Sequence, residues 1–476
     1  MASLIRLPQE ISAIILNQVH PRDWLSLKQT CKKLNAETAQ LITDFFFRKR
    51  AVILERRSLQ CLESIAKSQS LSESIEEVEF CTSHLLPVHE LEEIDPPYCE
   101  YEGMMKGLKS KVISSSHVEN GIDYEEWYRT WEINNAEVDL SNEDNEDSGG
   151  AQPLQQHIYS IGDDDSHAAD RLKKLNEREY ERHLSDQADM IRTGYDVQCV
   201  TQALTHLTRC TKINISTSIQ AWGLRRLRRE IGVMPQRGLT FESKASIQQV
   251  HHLIQVVLEA IAASGISVEV FNLEPNMMLM NANRINPFML IGSSSAVLSR
   301  SPPAHLHELQ ITLDPDSPSD DMISGGKWGK DDLAHFFHLL PELSNLELGF
   351  EPRDEDSRFS NLIAQEVYIP RLKRVALSAI NTTREGIAIF LLRHHRTVRT
   401  VILDSIQLRG EVSDWRWLIE IIWTSLELDK LYITSSWAER EYEDDFIMVE
   451  YKAKDINDIE IKDNNSLQVA LENLEN

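Results

Sequence analysis

A short template, apolar-x-x-apolar-x-apolar, recurs along this chain and constrains its fold more than any other feature. It is met at Val268-Phe271-Leu273, Leu306-Leu309-Ile311, Leu343-Leu346-Leu348, Leu372-Val375-Leu377, Val398-Val401-Leu403 and Leu428-Leu431-Ile433. Two weaker copies precede these, Ile75-Val78-Phe80 and Cys210-Ile213-Ile215. The alternation predicts short strands with one buried face. Successive first positions of the six stronger copies lie 38, 37, 29, 26 and 30 residues apart.

Between the strands run helical stripes. Val250, Leu253, Ile254, Val257, Leu258 and Ile261 hold the three-and-four spacing of one helix face. Shorter stripes follow at Leu333, Phe336, Phe337 and Leu340, at Ile387, Phe390 and Leu391, and at Trp415, Leu418, Ile421 and Ile422. Units of this length stack into a curved solenoid with the strands on its concave side. An ordinary α/β domain with a parallel sheet is the alternative. No nucleotide-binding fingerprint accompanies the strands, which favours the solenoid. The expected fold class is therefore mixed α/β, an irregular strand–helix array.

In such an array the solvent-side positions of the late strands are the natural binding face. They are Asn345 and Glu347, Arg374 and Ser378, Thr400 and Asp404, and Lys430 and Tyr432. Their mixed charge states no preference of sign.

The charge balance excludes several partners. The 476 residues carry 49 Lys and Arg against 75 Asp and Glu, a net charge of −26. Nucleic acid and anionic membrane surfaces are disfavoured by repulsion. The first apolar run, Leu4 to Leu16, is interrupted by Arg6, Pro8 and Glu10, so no signal peptide is expected. Nowhere do about 18 uninterrupted apolar residues offer a membrane span. The six cysteines (Cys31, Cys61, Cys81, Cys99, Cys199 and Cys210) are scattered without CxxC pairs, as reduced thiols of a cytoplasmic or nuclear protein are.

The N-terminus holds the most specific motif. Leu7-Pro8 leads into Ile11, Ile14, Ile15 and Val19 at helical spacing, and His20-Pro21-Arg22-Asp23 then breaks the helix. Asp23 suits the cap of a second helix bearing Leu25 and Leu27, and a third apolar stretch runs from Thr30-Cys31-Lys32 to Phe45 and Phe46. Three short helices cannot bury all these side chains among themselves, so some must face a partner.

This pattern resembles the F-box, a three-helix module of cullin-based ubiquitin ligases. The family motif is met by Leu7, Pro8, Glu10, Ile11, Ile15, Leu16, Val19, Asp23, Leu25, Leu27, Thr30, Cys31 and Lys32, while Leu34 stands where many members carry Trp. The resemblance implies docking on the Skp adaptor through Leu7, Pro8, Ile11, Ile15, Leu16, Leu25 and Leu27. The segment Ser58-Leu59-Gln60-Cys61-Leu62 and the Ile75 strand are similar to the first unit after the F-box in fungal F-box proteins with degenerate leucine-rich repeats.

The domains expected from this are an F-box at 1–50, a first repeat-like unit at 51–94, and an acidic flexible insertion at 95–165. A leucine-rich-repeat-like recognition domain at 166–438 and an acidic, partly disordered tail at 439–476 follow. The insertion is marked by Asp139, Glu143, Asp144, Glu146 and Asp147, then Asp163-Asp164-Asp165. A charged helix is expected after it, with Asp170/Lys174 and Lys173/Glu177 at pairing distance.

The implied function is target recognition for an SCF-type ligase (Skp, cullin, F-box), with no bond chemistry, cofactor or metal of its own. Two alternatives stay open: a Skp-containing complex without cullin, and an unrecognised C-terminal enzyme. The search for chemistry yields little. Gly325-Gly326-Lys327-Trp328-Gly329-Lys330 is followed by Asp331-Asp332 where a P-loop needs Ser or Thr, so it reads as a loop with an Asp cap. His251-His252 and His394-His395 are adjacent pairs that point apart on a helix, while His305 and His307 alternate as on a strand. The basic cluster Arg225-Arg226, Arg228-Arg229 could meet phosphate, an acidic substrate or the acidic insertion.

Overall fold

The computed structural model describes chiefly residues 47–91, 175–217, 221–236, 243–273, 305–313, 330–354, 363–439 and 459–475, with shorter stretches between them and scattered positions from 19 to 38. The chain divides into residues 1–94 with 174–476, and residues 95–173. The acidic insertion, and Asp170, Lys173 and Lys174 of the expected charge pairs, lie outside the described residues.

All eight templates form strands. The strands β1 (Lys49–Ile53), β2 (Glu77–Cys81), β3 (Lys212–Ser216), β4 (Val270–Leu273), β5 (Glu308–Leu313), β6 (Asn345–Asp354), β7 (Arg374–Thr382) and β8 (Thr400–Asp404) come first. After them come β9 (Gln407–Arg409), β10 (Lys430–Thr434), β11 (Ser436–Glu439), β12 (Lys454–Ile456) and β13 (Ile459–Ile461). Strands β1 to β8 pair in chain order, all parallel, then β10, and β13 closes the edge antiparallel to β10. Parallel neighbours need a long crossover, and helices fill most of these.

Each strand starts two residues after the template's first apolar position, and a single backbone motif explains that offset. At every junction one carbonyl accepts from two successive N–H groups of the next unit. Arg48 serves Glu76 and Glu77, Glu76 serves Thr211 and Lys212, and the pattern continues to Arg399 with Asp429 and Lys430. The same unit is thus repeated from β1 to β10. The second and third template positions form two unbroken rows across the sheet, among them Phe271, Leu309, Leu346 and Val375, each no more than 1% exposed.

The crossover helices cover that apolar side. They are α1 (Arg56–Ala66), α2 (Glu177–Thr193), α3 (Tyr195–His206), α4 (Leu224–Ile231), α5 (Lys244–Ser264), α6 (Lys330–His338), α7 (Arg384–Arg393) and α8 (Val412–Ser425), and α9 (Asn464–Glu475) follows the last strand. Side-chain oxygens satisfy their orphan N–H groups: Glu55 accepts from Ser58, Ser243 from Ser246 and Thr383 from Gly386. Glu411 and Asp414 form a capping box on α8. The α5 stripe is buried as expected, and on α8 the buried set is Trp415, Leu418, Ile419 and Ile422, with Ile421 half-buried. The rows and most helix faces join in one apolar core, while Leu224, Leu227 and Ile231 of α4 and Tyr180 of α2 join a second cluster with Ile53, Cys81 and Leu85.

Three successive units also share a kink. Ala379, Ser405 and Ser435 adopt φ of 54°, 54° and 45°, each seven positions after the first apolar residue of its template. The left-handed turn redirects the chain into a second, smaller sheet in which the end of β7, β9, β11 and β12 pair.

Several expectations change. The C-terminal stretch is not a free tail where it is described, because β13 pairs with β10 and α9 packs on the core through Ala470, Leu471 and Leu474. Its apolar stripe is short and diluted by the surrounding acids. His305 and His307 precede β5 rather than lying in it, and both are exposed. Asp331 and Asp332 lie inside the first turn of α6 and not at its cap, while Gly325 to Gly329 fall outside the described residues.

Candidate functional site

The strand positions between the buried rows share the opposite face of the sheet. Asn345, Arg374, Thr400 and Lys430 align across β6, β7, β8 and β10. Glu347 and Tyr432 lie in the next exposed row, and Ser378 and Asp404 in the third. All eight positions expected to meet a target are half-buried on this one face.

These side chains hold one another. Arg374 lies 3.7 Å from Glu347, and Gln310 donates to that carboxylate at 3.1 Å. Thr434 donates to Asp404 at 2.5 Å. The Lys430 ammonium sits 2.7 Å from Glu460 and 5.1 Å from the Tyr432 ring centroid. Lys430 and Lys462 together hold the Glu460 carboxyl below its ordinary range. Gly349 lies close to the neighbouring strand, where a Cβ would come 2.6 Å from the Ser378 Oγ and that hydroxyl would have to rotate away.

The face extends further than the late strands. In the same rows stand Lys49, Glu77, Glu79, Lys212, Asn214, Asn272, Glu308 and Gln310. Reading the earlier templates for the same solvent-side positions would have found most of them. At the β1 end Lys49 bridges Glu77 at 2.9 Å and Glu79 at 3.2 Å. Burial opposes its charge, but the two carboxylates outweigh burial and raise its pKa.

Of the basic cluster, Arg226 turns inward to a salt-bridged seam, while Arg225 and Arg229 are exposed. Arg226 contacts Glu55 at 2.8 Å and Glu230 at 2.9 Å, so its described partners are not the acidic insertion. Arg56 pairs with Asp186 at 2.7 Å, and His183 lies 2.8 Å from Glu230. These residues line a cavity of about 510 Å³ between α1, α2 and α4. Burial resists the Glu230 charge, yet His183 and Arg226 hold its pKa below the usual value. Arg56, Arg226 and His183 are engaged by the cavity's own acids, an arrangement that joins helices.

One ring of each histidine pair is held within the fold. His252 contacts the buried Asp196 at 2.6 Å, and the buried His394 accepts from the Ile369 N–H at 2.9 Å. Burial lowers the His394 pKa. Among the described residues no group of three His, Cys, Asp or Glu side chains is placed to hold a metal, and no helix is long and apolar enough to cross a membrane.

At the N-terminus, residues 4–36 match the F-box domain family. The chain carries an F-box. F-box domains typically bind Skp adaptors, and the F-box supports an adaptor role in ubiquitin-ligase-type complexes. F-box proteins are generally non-catalytic. Of the expected docking residues, Leu27 is helical and half-buried, while Leu7, Pro8, Ile11, Ile15, Leu16 and Leu25 lie outside the described residues. Leu34, in the position where many F-boxes carry Trp, is 7% exposed. No curated protein matches the chain.

Proposed function

We propose that this protein is the target-recognition subunit of an SCF-type cullin ubiquitin ligase. The observation that carries the reading is the F-box match at residues 4–36. Leu7, Pro8, Ile11, Ile15, Leu16, Leu25 and Leu27 dock on the Skp adaptor, and the cullin joins through that adaptor. Residues after the F-box form a leucine-rich-repeat-like solenoid whose polar sheet face holds the target. Repetition of one strand unit from β1 to β10 supports this reading.

The protein performs no bond chemistry in this account. Catalysis comes from proximity: a bound target raises the effective concentration of its lysines near the charged conjugating enzyme. Such a subunit works in the cytoplasm, the nucleus or both. Co-expression with Skp adaptor and cullin tests the assignment. Co-purification of both supports the ligase, the adaptor alone indicates a complex without cullin, and neither contradicts the proposal.

A further inference from the structure

We propose that the polar face over β3 to β6 takes an extended, basic segment of the target, with Glu308, Glu347, Asn214 and Asn272 receiving its lysine or arginine donors. This rests on the target-recognition reading and specifies the chemistry of the target.

Charge is the first observation. The solvent-side positions of β4, β5 and β6 are Val270 and Asn272, then Glu308, Gln310 and Thr312, then Asn345, Glu347 and Gly349. They hold two carboxylates and no cation. Among the described residues Glu308 meets the Asn345 amide at 3.4 Å, and Glu347 has Gln310 at 3.1 Å and Arg374 at 3.7 Å from the next strand. By contrast, the β1–β3 end is neutralised from within by Lys49 and Lys212. The unbalanced negative charge therefore lies in the middle of the sheet.

A second observation is independent of charge. Asn214, 8% exposed, donates its Nδ2 to Glu77. A carboxylate accepts only, so the amide orientation is fixed and Oδ1 is the oxygen that faces away. Among the described residues that Oδ1 has no hydrogen-bond partner, and neither has the Oδ1 of Asn272, its direct neighbour in the ladder. A buried acceptor without a donor is costly. Two adjacent ones, on a stretch of face whose own residues include the Glu308 and Glu347 carboxylates and no cation, fit a ligand that brings N–H donors and positive charge. Lysine and arginine side chains supply both. The extended form follows from the row Asn214, Asn272, Gln310 and Glu347, which crosses four strands about 4.8 Å apart with Glu308 in the row beside it.

The test uses the full chain and two fluorescein-labelled ten-residue peptides, one with lysine and arginine at alternate positions, the other with glutamate there. Fluorescence anisotropy near physiological salt should show binding of the basic peptide alone. Glu308→Gln with Glu347→Gln should weaken it tenfold or more. Asn272→Leu, which leaves the net charge unchanged, should weaken it at least threefold. Glu177→Gln with Glu181→Gln, on the exposed side of α2, should change nothing. Equal loss from the α2 pair, or no loss with Asn272→Leu, would mean general charge attraction and overturn the proposal, as would failure of the basic peptide to bind. Skp-adaptor binding, measured on the same preparations, reports separately on the underlying function. Thermal melting of each variant confirms that it folds.

Discussion

The His84 Nε2 lies 2.9 Å from the Ser246 Oγ, tying the segment after β2 to the first turn of α5. The other ring nitrogen is 2.6 Å from the Thr82 carbonyl, which only accepts and so places a proton on Nδ1. The ring is buried, and burial pushes its pKa down to about 4.

The sign of the resulting pH dependence is definite. An unfolded histidine titrates near 6.5, so below that pH the unfolded chain gains a proton that the folded chain refuses until about pH 4. The stabilisation from His84 is complete above pH 6.5 and is lost as pH falls, by about 2 kcal/mol at pH 5. Urea unfolding at pH 7 and pH 5 checks it against His84→Gln. The variant should be the weaker protein at pH 7 and lose less on acidification; parallel losses would refute the assignment.

Arg50 occupies a template position that is apolar in the other units. Its guanidinium lies 4.3 Å from the Phe47 ring and 4.2 Å from the Trp222 ring, and burial lowers its pKa to about 10. Its Nε has no hydrogen-bond partner. Arg50→Ala should cost about 1–2 kcal/mol through lost stacking and packing. Arg50→Leu, which restores the apolar row, should recover most of that stability. Denaturant titrations of the two variants provide the comparison.

The C-terminal strand and helix protect the sheet edge. Truncation after residue 439 removes β12, β13 and α9 and leaves β10 as an unpaired edge. The shortened chain should melt at lower temperature and self-associate in size-exclusion chromatography, as uncovered edges do. A milder variant, Leu471→Ala, should cost roughly 2 kcal/mol by emptying a buried site without changing the edge.

The strands were legible because their buried positions are apolar at a fixed offset, as Leu343, Leu346 and Leu348 show. Strand β1 escaped notice because Arg50 breaks the template, although Phe47 stands at the correct distance before it. The kinks at Ala379, Ser405 and Ser435 carried no glycine or asparagine signal, so the second sheet was invisible. Alternation alone assigned Asn345, Arg374, Thr400 and Lys430 to one face. Their partners depend on strand register and on distant chain segments, as Lys430 with Glu460 and Arg226 with Glu55 illustrate.

Calorimetric titration of purified Skp adaptor into wild-type protein and into the Leu7→Ala/Pro8→Ala variant tests the central claim most directly. The account predicts saturable one-to-one binding for the wild type, weakened at least tenfold in the variant, with the melting transition of the sheet domain unchanged. Equal affinity for both proteins, or no binding by the wild type, would contradict it.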